Sequence, residues 1–231
     1  MRRFLLAASI LAFAGPVAAQ GIPNGALGNA AIQGIVTDLA DVSTMAGVSC
    51  DGTTDSPTGL QAAFTAYNGK TLWWPPACIT IASTLTPPFA IRLAGSGYGS
   101  GIKQKASTNA DMIAINTASG QKLFLENITL DGNQANQTFD SSHIYHTVHF
   151  DSYGTVAAPA MVVANQVYFL NGRASDIVIG GNSTTTVGGA LIQVTNSWFL
   201  GGVESLANAT ASGSYIYVNG KYDTLITGNT F

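Results

Sequence analysis

The chain has 231 residues, 46% hydrophobic and 9% charged, with nine basic residues against twelve acids. Its apolar content excludes a disordered chain, and the scarcity of charge excludes a helical bundle, whose surfaces draw on Glu and Lys. The acidic balance excludes the basic face that nucleic-acid binding requires; Asn, Thr, Ser and Gly supply the polarity instead, which points to an all-β protein.

Residues 1–19 read as a signal peptide. Arg2 and Arg3 precede a run at 4–14 that is apolar except for Ser9, Gly15-Pro16 breaks it, and Val17-Ala18-Ala19 fits a cleavage site before Gln20. The run is shorter than the roughly 20 residues needed to cross a bilayer, so a secreted or periplasmic protein is expected, with no membrane contact once the signal is removed. The chain after cleavage keeps seven basic residues against twelve acids, a net charge of about −5. Export also places the two cysteines, Cys50 and Cys78, in an oxidising compartment. A disulfide is the expected state there, two free buried thiols being the alternative.

Residues 20–34 form a loose lead-in rich in Gly, Ala and Asn. The first firm element follows Asp55. Ser56 can act as an N-cap with Pro57 at the first helical position, and Leu60, Ala63, Phe64 and Tyr67 recur on one helical face until Gly69 stops it. Strands are predicted at 71–74, ending at Pro75-Pro76, at 79–81, and at 91–93, running into Gly95, Gly97, Gly99 and Gly101. Alternating glycines invite a phosphate-loop reading, but that fingerprint must open a helix and no helical period follows, so they mark a turn between strands.

The second half carries a weak repeat. Leu123 to Asn127, Met161 to Asn165 and Ile192 to Asn196 each place apolar residues four and two positions before an asparagine, and Thr224 to Asn229 fits with one extra residue. The asparagines are spaced by 38, 31 and 33 residues, a period that signals a solenoid. Short strands separated by Gly, Asn and Ser, without a 3.6-residue period, predict stacked coils of parallel strands. Asn127, Asn165, Asn196 and Asn229 are then expected at one corner of successive coils, bonding along the stack as a structural ladder.

The string Gly47-Val-Ser-Cys-Asp-Gly-Thr-Thr-Asp55-Ser-Pro-Thr-Gly-Leu-Gln-Ala-Ala-Phe64 resembles the entry motif of the pectate-lyase-like superfamily, as found in the rhamnogalacturonase- and epimerase-like N-terminal region. Ile91-Arg-Leu-Ala-Gly-Ser-Gly-Tyr98 and Leu125-Glu-Asn-Ile-Thr-Leu-Asp131-Gly-Asn133 are similar to rungs that follow it. The resemblance covers residues 35–231 and implies a right-handed parallel β-helix, its open end plugged by the 57–69 helix, with a polysaccharide as partner. The family's usual Gly before the first Asp is Cys50 here; paired with Cys78, it would tie the cap loop to the first coil.

Chemistry on such a fold takes two forms. Hydrolysis of a glycoside needs two carboxyl groups flanking the bond. A lyase needs a base and a cation for the developing charge, either Ca²⁺ on aspartates or an arginine. The polygalacturonase-type Asn-Thr-Asp and Asp-Asp strings are absent, as are the pectate-lyase Asp-His and Arg-x-Pro-x-x-Arg patterns. The densest titratable stretch runs from Asp140 through His143, Tyr145, His146 and His149 to Asp151. In an extended chain His149 and Asp151 share a face, so His149, Asp151 and, one coil on, Asp176 are the candidate catalytic residues. Arg173, His146 and Tyr153 are the candidates for gripping substrate, and Trp73, Trp74 and Tyr168 offer further aromatic surface. A polar loop is the plain alternative for this stretch, and three histidines could also hold a metal. No dedicated cofactor is expected beyond the calcium that a lyase would call for. The rival to an enzyme is a non-catalytic β-helix, an adhesin or carbohydrate-binding fibre module, for which a homotrimer is expected. The sequence stops at Phe231 inside a rung, and an uncapped solenoid end exposes edge strands; a continuation of the chain is therefore expected.

Overall fold

The computed structural model describes residues 39–87, 90–115, 121–137, 145–150, 160–172, 174–179, 190–201, 214–218 and 222–231. All fall within one compact unit, Thr37–Phe231. The signal-peptide and lead-in readings, and Asp140, His143, Asp151, Tyr153 and Arg173, lie outside the described residues.

The strands assemble into three sheets in which every pairing is parallel. The first sheet holds β1 (Leu39–Asp41), β3 (Thr71–Trp74), β5 (Ala90–Gly95), β8 (Lys122–Glu126), β11 (Ala160–Asn165), β14 (Ala190–Thr195) and β17 (Tyr222–Thr227). The second holds β2 (Asp51–Asp55), β4 (Ile79–Ala82), β6 (Gly101–Gln104), β9 (Thr129–Asp131), β12 (Tyr168–Leu170) and β15 (Trp198–Leu200). The third holds β7 (Ile113–Ile115), β10 (His146–Phe150), β13 (Ser175–Ile179) and β16 (Ser214–Val218). From β5 onward the chain visits the sheets in the same order on each coil, and one coil earlier an isolated bridge from Leu85 to Ile113 starts the third sheet.

Alternation along each short strand explains why the sheets close on one core. In the first sheet the register stacks Leu72, Leu93, Leu125, Ala164 and Val194 in one inward row, all buried. In the third, Ile113, Val148 and Ile177 form another. In the second, the rings of Phe169 and Phe199 stack at 4.8 Å, and Phe231 follows Phe199 at 5.1 Å. Each buried Leu, Ile, Val or Phe of these rows contributes roughly 1.5–3 kcal/mol before entropy is counted.

The turn from first to second sheet is a single residue in the left-handed conformation: Asn127 (φ 49°), Gln166 (φ 56°), Asn196 (φ 50°) and Gly228 (φ 67°). Asparagine and glycine adopt this conformation at least cost. The register therefore separates the asparagines of the sequence repeat. Asn165 pairs with Glu126 and Thr195 inside the strand row, one position before the corner, and Asn229 falls one position after it. Their side chains make different bonds. Asn127 Nδ2 donates to Gly95 O (3.3 Å), Asn196 Nδ2 donates to Asn165 Oδ1 (3.3 Å), and Asn229 accepts from Ser197 N (2.8 Å) and donates to Val194 O (2.9 Å). The single ladder expected from the spacing is corrected to two corner asparagines and two flanking ones.

The helix forms where Ser56-Pro57 predicted it, as α1 (Pro57–Ala66). Ser56 Oγ does not cap it, accepting instead from Ser49 N (2.8 Å). The helix lies in the chain between β2 and β3, the position that later coils give to the third sheet. Leu60 and Phe64 are fully buried in the common core, and Gln61 exchanges two 2.8 Å bonds with the backbone of Thr86, next to the Leu85 bridge. Gly59 passes close to Gly47; a Cβ there would meet Gly47 O at 2.3 Å. The helix thus packs its buried face into the same core as the strands.

Cys50 and Cys78 form a disulfide with Cα atoms 4.4 Å apart. They precede β2 and β4, neighbours in the second sheet, so the bond joins the cap region to the first full coil. Closing a 28-residue separation contributes about 3–4 kcal/mol in the chain-entropy account. The Cys50→Ser/Cys78→Ser double variant is expected to lower urea-unfolding stability by about that amount, and an unchanged midpoint would contradict this. No helix among the described residues is long and apolar enough to cross a membrane.

Candidate functional site

The polar stretch around residue 146 meets the third sheet at β10. Val148 and Phe150 point into the core and are fully buried, so alternation turns His149 to the outer face, where its side chain is 13% exposed. The neighbouring strand β7 pairs Ile113 with Val148; carried back along the strands, that register sets Asp111 opposite His146. Both Asp111 oxygens are engaged there: Oδ1 accepts from His146 N (2.7 Å), and Oδ2 lies 2.6 Å from His149 Nδ1. Met112 N returns a bond to His146 O (2.9 Å), which clamps the two strand entrances together. The rings of His146 and His149 meet edge to face at 5.0 Å.

An ionised carboxylate only accepts hydrogen bonds. The contact with Asp111 therefore assigns the proton of neutral His149 to Nδ1 and the lone pair to Nε2, an atom that is itself buried. His146 is likewise half-buried. Burial pushes its pKa down to about 4; the charge of Asp111 opposes that shift and His149 adds to it. Its Nδ1 is buried with no hydrogen-bond partner among the described residues.

Asp176 sits in β13, opposite Thr147 rather than His149. It is 1% exposed and accepts from Thr147 Oγ1 (3.1 Å). Burial pushes its pKa up to about 7, against the Thr147 bond, which lowers it. A buried acid of this kind is a poor partner for a surface reaction. Of the candidates drawn from sequence, the structure thus brings His146 and His149 together and sets Asp176 one coil away. The carboxylate it gives His149 is Asp111, which no local pattern in the sequence singles out. Only coil register, which stacks 111 beside 146–149, could have found it.

Two of the aromatic candidates, Trp74 and Tyr168, are occupied otherwise. Trp74 is buried in the core and donates from Nε1 to Thr80 Oγ1 (3.1 Å). Tyr168 opens β12 in the second sheet and is stacked on Trp198 at 4.5 Å and 5°, with Tyr98 edge-on at 5.5 Å. A ring whose face is covered by its coil neighbour has little left to offer a sugar, so this row staples coils.

Calcium, the ion a lyase resemblance implies, takes six to eight oxygen ligands. Among the described residues the group of ionisable side chains with converging donors is Asp111, His146 and His149, two nitrogens to one carboxylate, which does not fit calcium. No family model, no curated protein and no solved structure matches the chain.

Proposed function

We propose that the chain is an exported, right-handed parallel β-helix of the pectate-lyase-like kind that cleaves an acidic or plant-type polysaccharide by elimination. The all-parallel three-sheet winding, the helix α1 and the Cys50–Cys78 tie support the fold part of this reading. The observation that carries the chemistry is the 2.6 Å contact between His149 Nδ1 and Asp111 Oδ2 on the outer face.

A histidine held by a carboxylate on one nitrogen presents its lone pair on the other, and the carboxylate stabilises the imidazolium formed when a proton is taken. In elimination Nε2, which is buried in the free chain and must be uncovered by substrate, removes the proton beside the uronate carboxyl; the C–H electron pair forms a carbon–carbon double bond, the C–O bond breaks, and the departing glycosidic oxygen takes up the proton from the imidazolium. Hydrolysis would need a second carboxyl group across the bond; the cluster supplies one, and Asp176 is buried. Arg173 is our candidate for the substrate's negative charge.

Incubation with polygalacturonate, followed by the absorbance of unsaturated products, tests the reading. His149→Ala is expected to lower the rate at least about 100-fold, the usual worth of a positioned base, and Asp111→Asn to lower it less. Equal product release by wild type and His149→Ala would sink the assignment. Saturable binding without product would move the protein to the carbohydrate-binding class.

A further inference from the structure

We propose that Asp111, His146 and His149 form a site for one divalent transition-metal ion of the zinc class. Each residue offers one donor atom, and the three donors lie within 4.8 Å of one another. In a tetrahedral site with bonds of about 2.0–2.1 Å, ligand atoms stand about 3.3 Å apart. Small side-chain rotations therefore close the cluster on an ion.

The donor chemistry selects the metal. Imidazole nitrogens suit zinc, cobalt, nickel and copper, whereas calcium and magnesium require oxygen. Two histidines and one carboxylate leave a position open for water or another ligand. The frame is fixed, since Asp111 is anchored by His146 N and Met112 is bonded back to His146 O. The ligands come from two adjacent coils, so the ion would also act as a staple between β7 and β10.

His146 supplies the second observation. Its Nδ1 is buried without a hydrogen-bond partner among the described residues, which is an unfavourable state for a polar atom. A coordinate bond to an ion is one way to relieve it. The proton between His149 Nδ1 and Asp111 is displaced to solvent as the ion enters. This inference stands on the cluster geometry and not on the polysaccharide reading. Ion binding and proton abstraction are mutually exclusive uses of His149, and the test below contains no substrate, so either idea can fail alone.

The test uses the full chain without an affinity tag, stripped with a chelator and titrated calorimetrically with Zn²⁺, and with Co²⁺ for its visible ligand-field bands. One ion per chain is expected, with no competition from Ca²⁺. His146→Asn and His149→Asn are each expected to weaken binding on the order of 100-fold. Ring-nitrogen NMR of the wild type provides a reading that needs no variant: of the three histidines, the signals of two should shift with one equivalent of Zn²⁺. Failure of the folded wild type to take up stoichiometric Zn²⁺, affinity unchanged in both variants, or no shifted ring signal would each overturn the site.

Discussion

Gly101→Ala is expected to destabilise the chain by roughly 3–5 kcal/mol, a large share of the roughly 5–15 kcal/mol that keeps an ordinary domain folded. Gly101 opens β6 at φ +155°, between β4 and β9. A Cβ there would stand 1.9 Å from Thr129 O, 2.8 Å from its carbonyl carbon and 2.9 Å from its nitrogen. These are backbone atoms of the next coil, so no rotamer change relieves the contact. Nor can the coils part readily, since Gly101 N donates to Cys78 O and Thr129 N to Ser100 O, each at 2.8 Å. Gly69→Ala is the control. Gly69 also has a positive φ, +77°, but a Cβ there meets nothing within 4 Å, so only the conformational cost of about 1–2 kcal/mol applies. Urea unfolding of the two variants separates them. If Gly101→Ala unfolds at the midpoint of Gly69→Ala, the close approach of β6 and β9 is wrong.

That contrast also marks what could be read from sequence. Leu123 and Leu125, Val162 and Ala164, Ile192 and Val194 alternate visibly, and a two-residue period is enough to predict inward rows. Ser56-Pro57 with Leu60 and Phe64 is a local signal, so the helix at Pro57–Ala66 was legible too. The corner was not. Its left-handed position is held by Asn127, Asn196 and Gly228 but also by Gln166, a residue with no preference for that conformation. The eye therefore aligns Asn165 with the true corners and slips by one.

The site was half legible for a related reason. The alternation of Val148 and Phe150 turns His149 outward, but its partner Asp111 is fixed by coil length, which varies: 35 residues separate Asp111 from His146, and 29 separate Thr147 from Asp176. No constant period delivers a cross-coil pair when turns differ in length. Strand alternation points from His149 to Asp151, close in sequence, whereas the coil brings Asp111 beside His149 from far away in sequence.

Asp176→Asn is expected to make the chain more stable at neutral pH, by roughly 2–4 kcal/mol, taking about 1.4 kcal/mol per pKa unit. The folded state raises Asp176 from 3.8 to about 7, so between those values it holds a proton that the unfolded chain releases. The stability this group provides is complete below its unfolded pKa and is lost as pH rises through about 7. His146 has the opposite sign. Its pKa falls from 6.5 to about 4 on folding, so its share is present above the unfolded value and disappears as pH drops toward 4. In wild type the two slopes largely cancel across the mildly acid range, and stability then declines toward neutral pH. Asparagine preserves the size of Asp176 and an oxygen for Thr147 Oγ1 while removing the charge that burial penalises. The variant should match wild type near about pH 4, gain on it steadily to about pH 7, and then level off. Urea midpoints measured across that range decide the matter. If Asp176→Asn is no more stable than wild type at neutral pH, Asp176 is ionised and paired in the folded chain, and it returns to the list of groups that could face a substrate.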